Sequence, residues 1–251
     1  MTNNLVRMVG IRKSYGHVEA LRGVDFNVVN PEIVGLIGDN GAGKSTLIKI
    51  LTGVESLDSG EIYFDNKRIF FKSSADARRA GIETVFQGSG VVNLMSIARN
   101  FFLGKEPMKK VFGILKILDE DLMKRESKRV MSKIGITVRS TLEPTEILSG
   151  GERQAINIGR AMYFKAKLVI LDEPTTALSV KESEHVLEFT KDLRDRGVSV
   201  IFITHNIYHI HKIADRFVIL NHGKRGGDYK KSDVSINDLT NILKKVAENI
   251  I

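Results

Sequence analysis

The sequence predicts a single α/β domain of 251 residues, in which a largely parallel sheet is joined by an antiparallel β subdomain and an inserted α-helical subdomain. Apolar runs of strand length alternate with helical patterns near both ends of the chain, around 33–51 and 168–204. The pattern between them is helical from about residue 88 to about residue 160. We therefore expect residues 1–87 and 161–251 to form the core and residues 88–160 to form the inserted helical subdomain.

The first elements along the chain are expected to form the antiparallel part. Residues 5–29 alternate between apolar and polar side chains often enough to predict strands. Residues 60–67 read as a strand that enters a hairpin turn. These strands are expected to build a sheet separate from the parallel one.

A glycine-rich loop lies between a predicted strand and a predicted helix. It runs from 38 to 46 as GDNGAGKST, after an apolar run at 33–37 and before a helical pattern at 47–51. It matches G-x-x-x-x-G-K-[ST], in which glycines let consecutive backbone N–H groups surround an anion and the helix N-terminus adds a positive dipole. The alternative, a glycine-rich turn without a ligand, explains neither the strand before it nor the helix after it.

The side chains of this loop suit ATP bound together with magnesium. Lys44 can reach the β- and γ-phosphates, Ser45 can offer its hydroxyl to Mg²⁺, and Thr46 can contact the α-phosphate. The residues expected to contact ATP here are Gly38, Asp39, Asn40, Gly41, Ala42, Gly43, Lys44, Ser45 and Thr46.

Other segments supply helices and strands of the core and the insertion. Residues 119–134 predict a helix with one apolar side, and a helix at the end of the chain begins with Ser235 and Asp238 as a capping box. Strands are predicted at 198–204 and 217–220, which continues the alternation of a parallel sheet.

Two acidic residues end a further apolar strand. Residues 168–173, LVILDE, read as a buried strand of a parallel sheet. Asp172 is expected to hold the magnesium shell, and Glu173 to polarise a water molecule against the γ-phosphate. Two acids after a strand also occur in solvated loops, but the apolar run, Pro174 and the phosphate loop favour a nucleotide site.

A third motif predicts a second anion site. The segment LSGGERQ at 148–154 opens a helix in which Ser149 is the N-cap, and Gly150 and Gly151 expose the backbone amides of the first turn. An ordinary capped helix has the same local pattern. However, its place before the acid-tipped strand resembles the signature motif of the ABC (ATP-binding cassette) ATPases, and the other motifs agree with that family.

The resemblance extends from about residue 4 to about residue 230 and implies a P-loop NTPase (RecA-like) core. It implies that Tyr15 stacks on adenine, that Gln87 bridges the metal region and the transport partner, and that His205 orients the attacking water. The signature residues expected to contact nucleotide are Ser149, Gly150, Gly151 and Glu152. The expected catalytic residues are Glu173, His205 and Lys44, and the expected magnesium site consists of Ser45, Gln87 and Asp172.

One phosphate loop and one signature segment in the chain imply a dimer. In this family each ATP lies between the phosphate loop of one chain and the signature of the other, so a second ATPase copy would complete two equal sites. Lys44 on one side, and Ser149 with the amides of Gly150 and Gly151 on the other, would share the charge of the γ-phosphate. ATP is therefore expected to join the copies and hydrolysis to separate them.

Segments between the motifs resemble the ATPases of ribose-, xylose- and fructose-type sugar importers. The similar segments are 93–107 and 202–224, and a single cassette matches the fructose type. The resemblance implies two transmembrane permease subunits, an extracytoplasmic sugar-binding protein and a peripheral position at the cytoplasmic face of the membrane. Ser179 departs from the usual D-loop aspartate, the run Gly-Ser-Gly at 88–90 lacks a usual glutamate, and Arg99 replaces another.

Other functions stay open from the sequence. A P-loop kinase leaves the signature segment and His205 unexplained. A non-transport ABC ATPase acting on ribosomes or DNA usually brings a second cassette or a long coiled-coil insertion, and an exporter or a transporter for another substrate is a lesser variant. A zinc site at His205, His209 and His211 is disfavoured because Asn206 replaces the glutamate that a zinc protease needs. His209 and His211 are expected on a surface helix.

Composition and charge agree with a soluble enzyme of the cytosol. A hydrophobic content of 42% can build a large core, cysteine is absent, and no apolar run has the length of a membrane span. The formal charge of +8 is concentrated at 105–133, where acids dilute it, and at 224–231. A solvated surface explains this charge first and an anionic membrane second, and we expect no nucleic-acid partner because no reading module is recognisable.

Overall fold

The computed structural model describes residues 4–85, 90–112, 114–133, 138–176 and 178–248. Internal contacts divide the chain into two compact units. The first unit consists of Met1–Thr84, Ala166–Glu173 and Thr190–Ile251, and the second consists of Val85–Lys165 and Pro174–Phe189. The limits of the inserted subdomain at 88 and 160 stay a prediction.

The elements follow each other as a sheet-rich first third, a mainly helical middle and a final third in which strands and helices alternate. The first part contains β1 (Asn4–Tyr15), β2 (Val18–Val29), β3 (Ile33–Ile37), α1 (Lys44–Leu51), β4 (Ser59–Phe64), β5 (Lys67–Ile69), α2 (Ser74–Ala80) and β6 (Ile82–Val85). The middle contains α3 (Ile97–Phe102), β7 (Met108–Val111), β8 (Leu115–Leu118), α4 (Glu120–Lys133) and α5 (Gly150–Tyr163). The last part contains β9 (Leu168–Asp172), α6 (Val180–Asp195), β10 (Ser199–Ile203), α7 (Ile207–Ile213), β11 (Arg216–Asn221), β12 (Lys224–Lys230) and α8 (Ile236–Ala247).

Among the described residues, six strands pair in the order β12-β11-β3-β10-β9-β6. Strands β11, β3, β10 and β9 pair with one another in parallel, and β12 is antiparallel to β11. Every residue of β3 and β10 is buried, as are the first four of β9. A sheet covered on both faces requires apolar side chains at every position, which is why these strands read as continuous apolar runs. The predicted parallel sheet is confirmed.

The register of this sheet brings three strand ends together. Ile203 of β10 pairs with Asp172 of β9 on one side, and with Leu36 of β3 on the other. Because the strands are parallel, the segments that follow them emerge at one edge of the sheet, where α/β proteins bind ligands. These segments are the phosphate loop after β3, Glu173 after β9, and Thr204 with His205 after β10.

A second sheet of the first unit is antiparallel, with strand order β2-β1-β4-β5. The turn from β4 to β5 contains Asp65 and Asn66, both with positive φ, as a tight hairpin requires. The strands predicted at 5–29 and 60–67 are confirmed. Their apolar faces share one core with α1 and the parallel strands.

The second unit packs α3, α4 and α5 around an apolar core with four neighbouring aromatic rings. Ring centroids of Phe101, Phe102, Tyr163 and Phe164 lie 5.0–6.4 Å apart. The helix predicted at 119–134 is observed as α4, which buries Met123, Val130 and Met131.

The prediction of a helical pattern throughout the second unit is wrong, because residues 108–111 and 115–118 are strands. Strands β7 and β8 pair there as an antiparallel hairpin. Lysines and apolar residues are interleaved at 108–118 in a pattern that suits both a helix and a ribbon. Phe112 has φ of 54°, which is incompatible with a helix, so the backbone turns at this point.

The C-terminal helix α8 starts as predicted. The Ser235 hydroxyl accepts from the backbone N–H of Asp238, and the Asp238 carboxylate accepts from the backbone N–H of Ser235. Within the described ranges, none of the helices has the length and apolar character needed to cross a membrane.

Candidate nucleotide site

The phosphate loop joins β3 to the N-terminus of α1. Gly43, which precedes the helix, has φ of 102°, and a Cβ there would lie 2.8 Å from the carbonyl oxygen of Ala20. Only glycine therefore fits between the loop and β2. No side chain of the described chain caps α1, so the N–H groups of its first turn are available to an anion.

Lys44 lies back over the loop that precedes it. Its Nζ donates to the carbonyl oxygens of Gly38, at 2.6 Å, and Asp39, at 2.9 Å. Burial lowers the pKa of the Lys44 ammonium, while the carboxylates of Glu173 and Asp172 oppose that shift. Both acids thus act on the ammonium through their charge, and a phosphate would be a stronger acceptor than the neutral carbonyls that Lys44 now contacts.

Asp172 is the last residue of β9, and its carboxyl group is partly buried beside the carboxylate of Glu173. Burial raises the pKa of its carboxyl group and the neighbouring charge of Glu173 adds to this, whereas Lys44 acts in the opposite direction. A divalent cation would relieve the repulsion between the two carboxylates. Ser45, in the first turn of α1, adds a hydroxyl oxygen, and Mg²⁺ prefers such hard oxygen ligands. The residues present therefore fit Mg²⁺.

The Glu173 carboxylate is held by the segment that follows β10. Its Oε1 accepts from the backbone N–H of His205 at 3.1 Å and lies 2.9 Å from His205 Nδ1. Its Oε2 lies 3.2 Å from the hydroxyl oxygen of Thr204. An ionised carboxylate only accepts, so Nδ1 carries the proton and Nε2 of the imidazole is left for another partner. The His205 side chain is 78% exposed, which keeps that nitrogen accessible.

Thr204 is a residue whose role the sequence did not reveal. It is buried, and its hydroxyl oxygen accepts from the backbone N–H of Asn206 at 3.1 Å. The hydroxyl proton is therefore free to point at Glu173. A threonine directly after an apolar strand carries no signal of this kind, since the contact spans 31 positions of the chain.

Tyr15 ends β1 in the hairpin next to the phosphate loop. It pairs with Val18 of β2, and the same strand carries Ala20, which approaches Gly43. The ring is partly exposed, with the Lys13 ammonium 5.5 Å from its centroid. Stacking on adenine stays a prediction. Gln87 lies outside the described residues.

The signature segment lies in the second unit at the N-terminus of α5. Ser149 and Glu152 form a capping box, with reciprocal bonds of 3.2 Å and 2.8 Å between side chain and backbone. The backbone N–H of Gly151 does not point at open solvent, because it donates to Glu182 Oε1 at 3.0 Å. A Cβ at position 151 would lie 2.9 Å from Glu182 Cγ. This contact within the chain is sufficient to require glycine at that position.

Glu182 is the second residue that the sequence did not single out, although the S-x-x-E spacing of a capping box at 179–182 was available as a signal. Its Oε2 accepts from the backbone N–H and the hydroxyl of Ser179, at 2.9 Å and 2.8 Å. Bonds from Gly151 and Ser179 lower the pKa of Glu182 to about 2. Ser179, at the D-loop position, thus caps α6.

His209 and His211 lie on α7. His211 Nε2 is 3.1 Å from the carbonyl oxygen of Val234, and its ring stacks on Phe217. Both His209 and His211 are half-buried on this helix rather than fully on the surface. In the described part of the chain, no three His, Cys, Asp or Glu side chains are arranged to hold a metal ion.

The parallel sheet, the loop before α1 and the acids facing Lys44 define a P-loop protein built to bind a nucleotide. The family model described as "ABC transporter" matches residues 21–176, which is more than half of the chain. The chain therefore belongs to the ABC transporter family, and it is a nucleotide-binding ATPase of that family. The family and the ATPase activity predicted from the motifs are confirmed.

Curated relatives are similar over most of the chain. A xylose/arabinose import ATP-binding protein of Sulfolobus acidocaldarius is 40% identical, over 98% of this chain and 96% of that protein. A fructose import ATP-binding protein of Rhizobium meliloti is 42% identical, over 91% of this chain and 89% of that protein. A ribose import ATP-binding protein of Clostridium tetani is 38% identical over 95% of this chain, but this covers 46% of that protein.

Solved structures of ATP-binding cassettes share the fold. A nucleotide-free cassette from an ABC transporter has a TM-score of 0.83 at 24% identity and covers 99% of both chains. A dimeric cassette in a post-hydrolysis state, bound to ADP and phosphate, has a TM-score of 0.75 at 25% identity over 90% of this chain and 98% of that one. The predicted fold class is confirmed.

The Glu182 carboxylate should make the stability of the fold depend on pH in the acidic range. Its folded pKa is lowered from 4.5 to about 2, so its contribution is complete above 4.5 and disappears as the pH falls toward 2. We expect Glu182→Gln to lower the thermal midpoint at neutral pH, with the gap to the wild type closing in that window. A gap that stays constant across the window, or an equal gap for the exposed Glu188→Gln control, would contradict this role.

Proposed function

We propose that this chain is the ATP-hydrolysing subunit that drives import of a monosaccharide of ribose, xylose or fructose type. The observation that carries the proposal is the meeting of Lys44, Asp172, Glu173 and His205 at the carboxyl edge of the parallel sheet. The substrate class is supported by relatives named for the import of such sugars. The proposed partners are two permease subunits, a sugar-binding protein outside the membrane and a second copy of this chain, with the chain on the cytoplasmic face.

The site residues have distinct proposed roles in hydrolysis. The amides of the loop 38–46 and the Lys44 ammonium bind the phosphates, and Tyr15 stacks on the base. Glu173 accepts a proton from the attacking water, and Nε2 of His205, when it also carries a proton, donates to the γ-phosphate. When a phosphate binds, the Lys44 ammonium leaves the carbonyl oxygens of Gly38 and Asp39 and gains a charged partner in place of two neutral ones.

The proposed magnesium site consists of the Ser45 hydroxyl, the Asp172 carboxylate and Gln87. The ion would neutralise charge on the phosphate oxygens as the terminal bond breaks. Asp172 suits this position because its partly buried carboxylate already repels Glu173 and gains from a nearby cation. Glu173 is then left to act as the base.

The proposed dimer places the signature segment of one copy against the γ-phosphate bound by the other. The Ser149 hydroxyl and the Gly151 N–H are the donors on the signature side. In the described chain this N–H already donates to Glu182, so engagement of the γ-phosphate exchanges one anion for another. The glutamate keeps the donor satisfied while no phosphate is present.

A groove in the second unit is the proposed contact for a permease subunit. Its volume is about 690 Å³, and its lining includes Val92, Leu94, Arg99, Glu120 and Leu142. Leu94 is 81% exposed, and together with the exposed Val92 and Leu142 it gives the groove several neighbouring apolar side chains, as at an interaction site. Arg99, one of the departures from the family pattern, pairs with Glu120 at 3.1 Å on this surface.

Replacing the proposed base should separate binding from hydrolysis. Glu173→Gln keeps the shape of the side chain but removes its basicity, so we expect retained ATP affinity and hydrolysis slower by about 10² to 10⁴. Phosphate release and nucleotide binding would be measured on the same preparation, with Glu188→Gln as the matched control. Hydrolysis at the wild-type rate would require a different base and would defeat the assignment of Glu173.

Removal of the Thr204 hydroxyl should affect turnover rather than nucleotide affinity. Thr204→Val keeps the shape but loses the bond to Glu173, which we expect to lower kcat about tenfold or more with KM for ATP unchanged. Thr204→Ser, which retains the hydroxyl, should restore the rate. In a Glu173→Gln background, Thr204→Val should add no further loss, and a full additional loss would show that Thr204 acts independently of Glu173.

Blocking the signature segment should prevent dimer formation without preventing ATP binding. Ser149→Arg places a bulky side chain where the partner's γ-phosphate would lie, but it also removes an N-cap worth about 1 kcal/mol. Ser149→Asp keeps a capping oxygen and adds repulsion toward phosphate. We expect both variants, made in the Glu173→Gln background, to elute as monomers on sizing with ATP. An ATP-dependent dimer with either one would exclude the shared site.

A further inference from the structure

The tip of the β7–β8 hairpin exposes large apolar side chains. Phe112 is 94% exposed and Ile114 is 92% exposed, and the next residue, Leu115, is also exposed. Phe112 and Ile114 lie at the turn between the two strands. Contiguous exposed apolar side chains mark an interaction site more often than scattered ones do.

Two lysines face each other directly behind this tip. Lys110 of β7 and Lys116 of β8 are partners in the strand register, so their side chains lie on the same face of the ribbon. Both are exposed, and neither forms an ion pair within the described ranges of the chain. Like charges directly opposite each other destabilise a hairpin, and an external anion would remove that penalty.

The third lysine of the hairpin is neutralised by the chain itself. Lys109 Nζ lies 3.2 Å from Asp121 and 3.9 Å from Asp119. No acidic residue occurs between 108 and 118. The unbalanced positive charge of the hairpin is therefore confined to the two lysines next to the apolar tip.

We propose that this hairpin docks on the surface of a lipid bilayer that contains anionic lipids. Phe112 and Ile114 enter the boundary between headgroups and acyl chains, and Lys110 and Lys116 contact the lipid phosphates. In a membrane surface the lipid phosphates lie outside the apolar region. An apolar tip with a cationic pair behind it fits this order, because the tip reaches the apolar region while the lysines stay at the phosphates. The contact is independent of the catalytic assignments and goes beyond the proposed function.

The shape of the tip favours a bilayer over a protein partner. Side chains that are more than nine-tenths exposed form a projection, and a protein would need a matching pocket to cover them. A bilayer accepts such a projection without a preformed pocket. A two-stranded ribbon is also marginal in water by itself, so burial of its tip stabilises the element.

The test is flotation of the full chain with vesicles of phosphatidylcholine alone, or of phosphatidylcholine mixed with phosphatidylglycerol. We expect binding to the mixed vesicles that weakens with added salt, and little binding to the neutral ones. Lys110→Gln combined with Lys116→Gln should weaken it roughly 30-fold, and Phe112→Ser combined with Ile114→Ser about tenfold or more. Matched controls are Phe70→Ser, on an exposed phenylalanine of the first unit, and Lys244→Gln combined with Lys245→Gln.

A labelling experiment tests the same contact without removing the apolar tip as a whole. Because the chain contains no cysteine, Phe112→Cys gives a unique position for an environment-sensitive fluorophore. We expect its emission to shift to the blue with mixed vesicles and not with neutral ones. The same label at Phe70→Cys should not respond. ATP hydrolysis measured on every variant should stay at the wild-type rate, which separates this contact from the nucleotide site.

Several outcomes would overturn the proposal. These are equal binding to both kinds of vesicle, unchanged binding by the hairpin variants, an equal loss in the controls, or a Phe112 label that does not respond. If hairpin variants kept vesicle binding but lost copurification with permease subunits, the tip would belong to a protein interface. Loss of copurification is expected instead for Leu94→Asp in the groove.

Discussion

The arrangement of the site depends on the parallel register of three buried strands. Because Leu36, Ile203 and Asp172 are paired across β3, β10 and β9, the residues that follow each strand emerge side by side. A shift of one residue in any strand would turn its side chains to the other face and move its terminal loop. The full burial of β3 and β10 fixes this register, so the apolar core positions groups that are themselves polar and partly exposed.

Charge is distributed over the site so that Lys44 and Asp172 would both gain from a charged ligand. Lys44 contacts neutral carbonyls while the charges of two nearby acids act on it, and Asp172 repels Glu173. The Glu173 carboxylate accepts hydrogen bonds from Thr204 and His205, directly after β10. Such a site gains from a ligand that carries negative charge together with a cation, which is the chemistry of a nucleotide bound with magnesium.

Local patterns were sufficient to predict the core, and contacts distant in sequence were not. The strand and helix around the phosphate loop, the acid-tipped strand and the capped helix at 149 each have a signal within about ten residues. Glu182 and Thr204 act through partners about thirty positions away, so their importance appears only once the chain is folded. The strands at 108–111 and 115–118 are not predicted, because the spacing of apolar residues there fits the period of a helix and that of a strand equally well. The positive φ of Phe112 is incompatible with the helix.

The close approach of Glu182 to Gly151 constrains how these two positions can change in evolution. With 2.9 Å between Glu182 Cγ and the place of a Cβ at 151, a larger residue at 151 is tolerated only with a shorter one at 182. A shorter residue would in turn release the N-termini of α5 and α6 from their common acceptor. The two positions should therefore covary among homologous sequences, and chains that lost the glycine should carry a compensating substitution thirty-one residues further on.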